Sequence, residues 1–258
     1  MQRYFLEVAY KGTHYSGFQI QENANSIQAE IEKAIPLLLR QSIQLTGSSR
    51  TDSGVHAIQN FFHFDFLGKI HPQFVYKLNA ILPKDIVIKG LYEVTSDAHC
   101  RFDAIGRDYT YYIYQQKDPF LQDRSFFYPY AMNIERLNQA AEILKEHNDF
   151  TSFSKRKTQV KSFNCVLLQS HWLVTDKGLQ YNVSGNRFLR GMVRGLTATM
   201  LKVGRGKITV QDFVEIIAAK DCKKASFAVP AHGLFLNKVK YPYLLNRINS
   251  EKDPQADD

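Results

Sequence analysis

Apolar and polar side chains alternate from Arg3 to Tyr10 around the set Phe5, Glu7 and Ala9, which predicts a strand. A polar stretch containing Gly12 and Gly17 follows it. The period then lengthens: Ile27, Ile31, Ala34, Ile35 and Leu38 share one helical face behind Ser26, a suitable N-cap, although Pro36 should break or kink the last turn. Phe62, Phe64 and Phe66, with His63 and Asp65 between them, predict a strand over Gln59 to Phe66. Phe74 to Leu82 reads as a short helix stopped by Pro83, and Ile86 to Val94 as another strand. A second set begins with a Tyr-rich strand from Tyr109 to Gln116 and a helix from Ile134 to His147, whose Leu137, Ala140, Ala141 and Leu144 face inward. Cys165 to Thr175 and Leu179 to Ser184 form a hairpin around Asp176-Lys177-Gly178. A last helix is predicted from about Arg187 to Val203, striped by Leu189, Val193, Leu196, Met200 and Val203 and closing at Gly204-Arg205-Gly206.

Each set offers a strand, a helix and further strands, so the inventory fits an α+β protein of two similar halves about one mixed or antiparallel sheet. The boundary falls near 97–105, giving an N-terminal half over 1–103, a C-terminal half over 104–250 and a tail over 251–258 expected to be disordered. The tail holds four acids and one lysine; without it, residues 1–250 carry 32 basic against 21 acidic side chains, a net +11. So basic a body points to a polyanionic partner, nucleic acid before membrane. The 258-residue chain is 44% hydrophobic, which excludes wholesale disorder. No apolar run approaches the ~18 residues of a membrane span, and Arg3 and Glu7 interrupt any signal-peptide stretch. Cys100, Cys165 and Cys222 are too far apart for a CxxC pair and too odd in number for a closed disulfide framework, which suits a reducing cytoplasm. His14, His56, His63, His71 and His99 are scattered without metal-ligand spacing, so no metal is expected.

Three segments could carry chemistry. Gly47-Ser48-Ser49-Arg50-Thr51-Asp52-Ser53-Gly54-Val55-His56 is a run of small polar residues presenting Arg50, Asp52 and His56 within seven positions. Asp-Ser-Gly is also ordinary turn chemistry. A Ser49/His56 hydrolase lacks GxSxG, and a His56 ribonuclease lacks a second acid or base. Arg107-Asp108-Tyr109-Thr110-Tyr111-Tyr112-Ile113-Tyr114 puts Tyr109, Tyr111 and Ile113 on one strand face. Tyrosine is a good strand former, but one of these rings could also take a stacked nucleobase. Arg187, Arg190 and Arg194 recur at i, i+3 and i+7 beside the apolar stripe of the last helix, either as a solvated basic face or with one arginine turned inward to a carboxylate. At ~100° per residue Arg190 lies closest to that stripe, so helical geometry does not single out Arg194.

Taken together, these clusters resemble the TruA family of pseudouridine synthases. Tyr10-Lys11-Gly12-Thr13 with Ser16-Gly17-Phe18-Gln19-Ile20-Gln21 resembles its opening segment, and Arg50-Thr51-Asp52-Ser53-Gly54-Val55-His56-Ala57 its catalytic loop. Arg101-Phe102-Asp103-Ala104 with Arg107-Asp108-Tyr109-Thr110-Tyr111 resembles its tyrosine strand, and Asp149-Phe150-Thr151-Ser152-Phe153 and Met192-Val193-Arg194 complete the order. Three positions depart from the pattern: Ser49 for Gly, Ser53 for Ala and Phe18 for Trp. The resemblance implies two similar α+β halves around a central, mostly antiparallel sheet with a cleft between them. It also implies isomerisation of uridine to pseudouridine at positions 38, 39 and 40 of tRNA, without cofactor or metal, by a cytoplasmic homodimer. In that reading Asp52 is the nucleophile, Tyr109 stacks on the target base, Arg194 pairs with Asp52, and Arg50 fills the space left by the flipped nucleotide. His56, Arg187 and Arg190 are expected among the RNA contacts, with lysines and arginines gripping phosphates. The rivals are a tRNA-binding protein without activity and a synthase acting on another RNA site.

Overall fold

The computed structural model describes residues 1–155 and 160–248, so the tail expected to be disordered lies outside the described residues. Two compact units emerge, one formed by Met1–Ile105 with residues 239–248, the other by Gly106–Lys238. The division read from sequence gives 239–250 to the second half, whereas the chain returns to the first unit at Val239. No described helix is long and apolar enough to cross a membrane.

The first unit contains β1 (Gln2–Tyr10), α1 (Ile27–Leu39), β2 (Thr46–Gly47), β3 (His56–Phe66), α2 (Phe74–Ile81) and β4 (Ile86–Val94). β1 lies between β3 and β4, antiparallel to both, and β2 adds antiparallel to β3. Helix α1 starts where expected, with Ser26 Oγ accepting from the Ala29 N–H at 3.2 Å, but it runs through Pro36 to Leu39. The proline costs one hydrogen bond near an end that already frays, and Arg40 closes the helix in the left-handed conformation. The period-two pattern of β1 understates its burial, since Tyr4, Phe5, Leu6, Glu7 and Val8 are all buried. Glu7 is tolerated there because its carboxylate accepts from Gln59 Nε2 (2.9 Å) on β3 and from Tyr92 OH (2.5 Å) on β4. At the strand's start, Arg3 forks onto both carboxylate oxygens of its cross-strand partner Asp65 at 2.8 Å.

The second unit contains β5 (Gly106–Tyr114), β6 (Phe126–Phe127), α3 (Ile134–Ile143), β7 (Leu167–Thr175), β8 (Gly178–Gly185), α4 (Met192–Gly204), α5 (Val210–Ala218) and most of β9 (Leu234–Lys240). Its strands run in the order β9-β5-β8-β7, with β6 parallel to β5; β10 (Asn246–Arg247) then pairs with β4 of the first unit. The predicted hairpin is β7 and β8, with Trp172 stacked on Tyr181 at 5.0 Å between ring centres. Helix α3 packs on β7, and α4 and α5 pack on α3. The expected helix over 134–147 ends in a tight 3-10 turn at Leu144–Glu146. Helix α5 has no counterpart in the sequence reading, although Thr209 and Asp212 form a complete capping box.

The expected helix over 187–203 begins five residues late. Gly191 precedes it in a left-handed conformation (φ 74°), so Arg187 and Arg190 lie in the connecting segment and only Arg194 is on the helix. The basic helical face therefore does not exist. Its apparent i, i+3, i+7 spacing spans a turn that resets the helical phase.

Histidines read as scattered meet in the first unit. His63 Nδ1 accepts from the Cys100 N–H (3.3 Å) and lies 3.2 Å from Cys100 Sγ, whose thiol donates to the Thr46 carbonyl (3.1 Å). The His99 ring packs edge-on against His63, centres 4.6 Å apart. Burial, with His99 and Arg3 nearby, pushes the His63 pKa from 6.5 down to about 4. The unfolded chain therefore takes up this proton near pH 6.5 and the folded chain only near 4, so stability is lost as pH falls across that window and is level in this group above it. His63→Gln, which cannot titrate, should flatten the melting temperature between pH 6.5 and 4. An unchanged slope in that variant would assign the acid sensitivity to other groups.

Candidate active site

The loop bearing Asp52 is held from behind by the segment that follows β1. Gly12, in a 3-10 turn over Gly12–His14, lies so close to the loop that a Cβ there would sit 2.0 Å from the Val55 carbonyl oxygen. Its N–H donates to His56 Nδ1 at 3.0 Å. Gly17, at φ 112°, allows the chain to turn so that the Phe18 N–H reaches the Thr51 carbonyl at 3.2 Å. Tyr10 OH and Thr51 Oγ1 share a hydrogen bond of 2.8 Å.

A buried amide supports the other side. Asn60, fully buried within the Phe-rich strand, donates to the Ser49 carbonyl (2.8 Å) and to Tyr10 OH (3.2 Å). Asn60 was not singled out by sequence; the available signal was a polar residue among phenylalanines in a strand too apolar to leave it unpaired. The backbone of the loop is thus fixed at Ser49, Thr51 and Val55, with Asp52 half-buried between them and Arg50 exposed. Asp52 therefore sits on a turn whose backbone is held on both sides.

The three departures from the family pattern have local explanations. Phe18 is buried and stacks on Phe62 at 4.3 Å, so an aromatic ring still backs the loop. Ser53 Oγ donates to the Tyr15 carbonyl at 3.0 Å, an added tie that alanine lacks. Ser49 is buried, its backbone taken up by Asn60. His56, expected among the RNA contacts, is instead 1% exposed and is the first residue of β3; its Nδ1 holds Gly12. It is a positioning residue of the loop.

In the second unit, strand β5 brings Tyr109 and Tyr111 to one face. Tyr111 is fully buried and donates its hydroxyl proton to the Pro230 carbonyl at 2.7 Å, and burial raises its pKa well above the usual phenol range. Tyr109 is half-buried, its ring edge-on to Phe188 at 5.0 Å. From helix α4, Arg194 donates to the neighbouring Val229 carbonyl through Nε (3.1 Å) and Nη2 (2.6 Å). One short segment, Val229-Pro230, thus ties the Arg194 guanidinium to the strand that bears Tyr109. Arg190 is exposed, and its carbonyl accepts the Lys155 N–H (2.9 Å); Arg187 is half-buried.

Asp149–Phe153 has a structural role. Asp149 caps the turn by accepting from Thr151 N–H (3.0 Å) and Oγ1 (2.6 Å), while buried Ser152 donates to the Ile216 carbonyl (2.6 Å) at the end of α5. His63, His99 and Cys100 bring donor atoms within 4.8 Å of one another, a set zinc would accept. Both imidazole Nδ1 atoms already accept backbone hydrogen bonds: His99 Nδ1 from the Arg101 (3.1 Å) and Phe102 (3.3 Å) N–H groups, and His63 Nδ1 from Cys100. A neutral imidazole that accepts at Nδ1 carries its proton at Nε2, so these rings are built for hydrogen bonding within the fold.

Comparison with known proteins bears on the same residues. A family model described as tRNA pseudouridine synthase matches residues 7–103 and 140–242. The chain is 42% identical over 247 residues to tRNA pseudouridine synthase A of Porphyromonas gingivalis, covering 94% of this chain and 98% of that protein. It is 40% identical over 240 residues to the protein of the same name from Staphylococcus aureus strain MRSA252, covering 92% and 91%.

The close approach at Gly12 sets a test of the brace. Gly12→Ala must push the Val55 carbonyl away or open the turn, an overpacking cost of ~1–3 kcal/mol. It should lower the melting temperature by several degrees and reduce turnover more than RNA affinity. A variant as stable and active as wild type would show that the turn is not what holds the loop.

Proposed function

The chain belongs to the tRNA pseudouridine synthase family, and on that footing we propose that it converts uridine to pseudouridine at positions 38, 39 and 40 of the tRNA anticodon arm. The observation that carries this reading is the family match across both units, with Asp52 on a loop braced at Thr51 and Val55. Isomerisation must break the N1–C1′ bond, turn the uracil while it stays bound, join C5 to C1′ and move one proton from C5 to N1. Asp52 serves as the nucleophile. A carboxylate can add to the ribose carbon, or assist removal of a ribose proton to give a glycal, and both routes keep the pieces in place. Reactant and product are isomers, so the net reaction calls for no redox or group-carrying cofactor.

Tyr109 takes the target base against its ring, and Arg194 pairs with the Asp52 carboxylate. The Val229 carbonyl supports the second role by fixing the plane of the guanidinium through Nε and Nη2, which leaves Nη1 to meet an anion. Arg50 enters the stack vacated by the flipped nucleotide, since a stacked base is out of a nucleophile's reach. Arg187 and Arg190 contact phosphates from the segment before α4. The enzyme acts in the cytoplasm as a homodimer, each tRNA touching both subunits.

Pseudouridine mapping by carbodiimide treatment and primer extension, on an unmodified tRNA with uridines at 38 to 40, tests the reading. Wild type should give stops at those uridines and Asp52→Asn none, with tRNA affinity within a few-fold. Stops only on ribosomal RNA would contradict the substrate, and full activity of the Asn variant would remove Asp52 as the nucleophile. Arg194→Lys should lower kcat about 10–100-fold, the equivalent of one charge-assisted hydrogen bond of ~1.5–3 kcal/mol, and change KM little. Equal loss in kcat and RNA affinity would make Arg194 a general RNA contact.

A further inference from the structure

A surface pocket of about 200 Å³ lies wholly within the first unit, between the loop bearing Arg50, the Gln28 side of α1 and the turn after β4 that carries His99, Arg101 and Phe102. Its lining holds two arginines and none of the ten lining residues is acidic. The neighbouring Asp103 carboxylate is turned to the His99 N–H (2.8 Å) and Tyr243 OH (2.7 Å) instead. Glu32, outside the lining, accepts from Gln28 Nε2 (2.9 Å) and the Leu45 N–H (2.8 Å). Arginine keeps its charge at any pH near neutrality, so the pocket wall presents two guanidinium groups to a ligand. Although the residue as a whole is exposed, partial desolvation of its guanidinium, and then the like charge of Arg101, push the Arg50 pKa down from its ordinary value.

The pocket also has an aromatic rim. Phe102 is 74% exposed, an unusual outlay for so large an apolar ring, and it is held in place: the His99 ring packs on it at 4.2 Å and the Arg101 guanidinium lies 5.6 Å from its centre. A charged fork beside a fixed, exposed ring is the pairing that single-stranded RNA recognises, phosphate on one and base on the other. Arg50 is two residues from Asp52, so their Cα atoms are within about 7 Å, roughly a nucleotide step.

We propose that this pocket binds the nucleotide flanking the target uridine, with its phosphate on Arg101 beside Arg50 and its base against Phe102. The assignment deepens the tRNA reading and rests on it. It gives the Arg101-Phe102 pair a role in placing the strand, so that the reacting nucleotide arrives in register with Asp52.

The test uses the full chain and synthetic anticodon arms, each with a single neutral methylphosphonate linkage near the target. One linkage should weaken wild-type binding about ten-fold and leave Arg101→Ala no weaker than it already is. Arg101→Ala should raise KM about ten-fold with a smaller change in kcat, and reduce the slope of log affinity against log salt by about 0.7–0.9, one phosphate's share. Arg101→Lys should retain that slope, because the charge remains. Phe102→Ala should weaken binding about ten-fold without changing the slope. Arms whose linkage penalties are as large in Arg101→Ala as in wild type, or variants that bind within two-fold of wild type, would overturn the pocket. Pseudouridine formation is read in the same reactions: if wild type makes none yet shows the linkage-specific loss, the pocket stands and the activity falls.

Discussion

With no Cβ at position 12, the turn after β1 lies directly on the Val55 carbonyl, and from that contact the order of the Asp52 loop follows. Any other residue would wedge the turn away and separate the Gly12 N–H from His56 Nδ1, now 3.0 Å apart. The same approach lets the Phe18 N–H reach Thr51 and sets Phe18 flat against Phe62. A loop of small polar residues has little apolar surface of its own to bury against the conformational entropy it loses, so its rigidity has to be borrowed from neighbours. The opening segment and Asn60 supply it from two sides.

The second unit ties a strand and a helix together by a different device. Tyr111 and Arg194 come from a strand and a helix, yet both donate to consecutive carbonyls at Val229 and Pro230. Backbone carbonyls are rigid acceptors, so two elements that share a peptide segment cannot drift independently. Helix α4 can deliver Arg194 because it begins at Gly191, after the bend that takes Arg187 and Arg190 off its axis. A helix beginning at Arg187 would have spread three arginines around one cylinder and fixed none of them.

Buried polar groups in the first unit follow one rule, that each is satisfied where it sits. Glu7 is bracketed by Gln59 and Tyr92, Asn60 by Ser49 and Tyr10, and His63 by Cys100. The positive charge of the chain is then left for the surface, as in the pocket of Arg50 and Arg101. A protein whose partner is a polyanion can keep its interior neutral or paired and leave its cationic side chains exposed.

Elements with a strong period were legible in the sequence: Ile86–Val94 appears with the predicted bounds, and α1 starts at its Ser26 cap. Motif order also named the family, since a run such as Arg50-Thr51-Asp52-Ser53-Gly54 carries its identity in residue types. Periodicity failed at Arg187 and Arg190 because it presumes an unbroken helix, and a left-handed Gly191 resets the phase without altering the pattern. It failed at His56 and Asn60 because burial and hydrogen-bond partners come from residues 44 and 50 positions away. Composition and local spacing thus determined which groups this protein has to work with. Long-range packing alone decided which of them are buried to hold others in place and which stay accessible, because those positions depend on neighbours that local sequence does not encode.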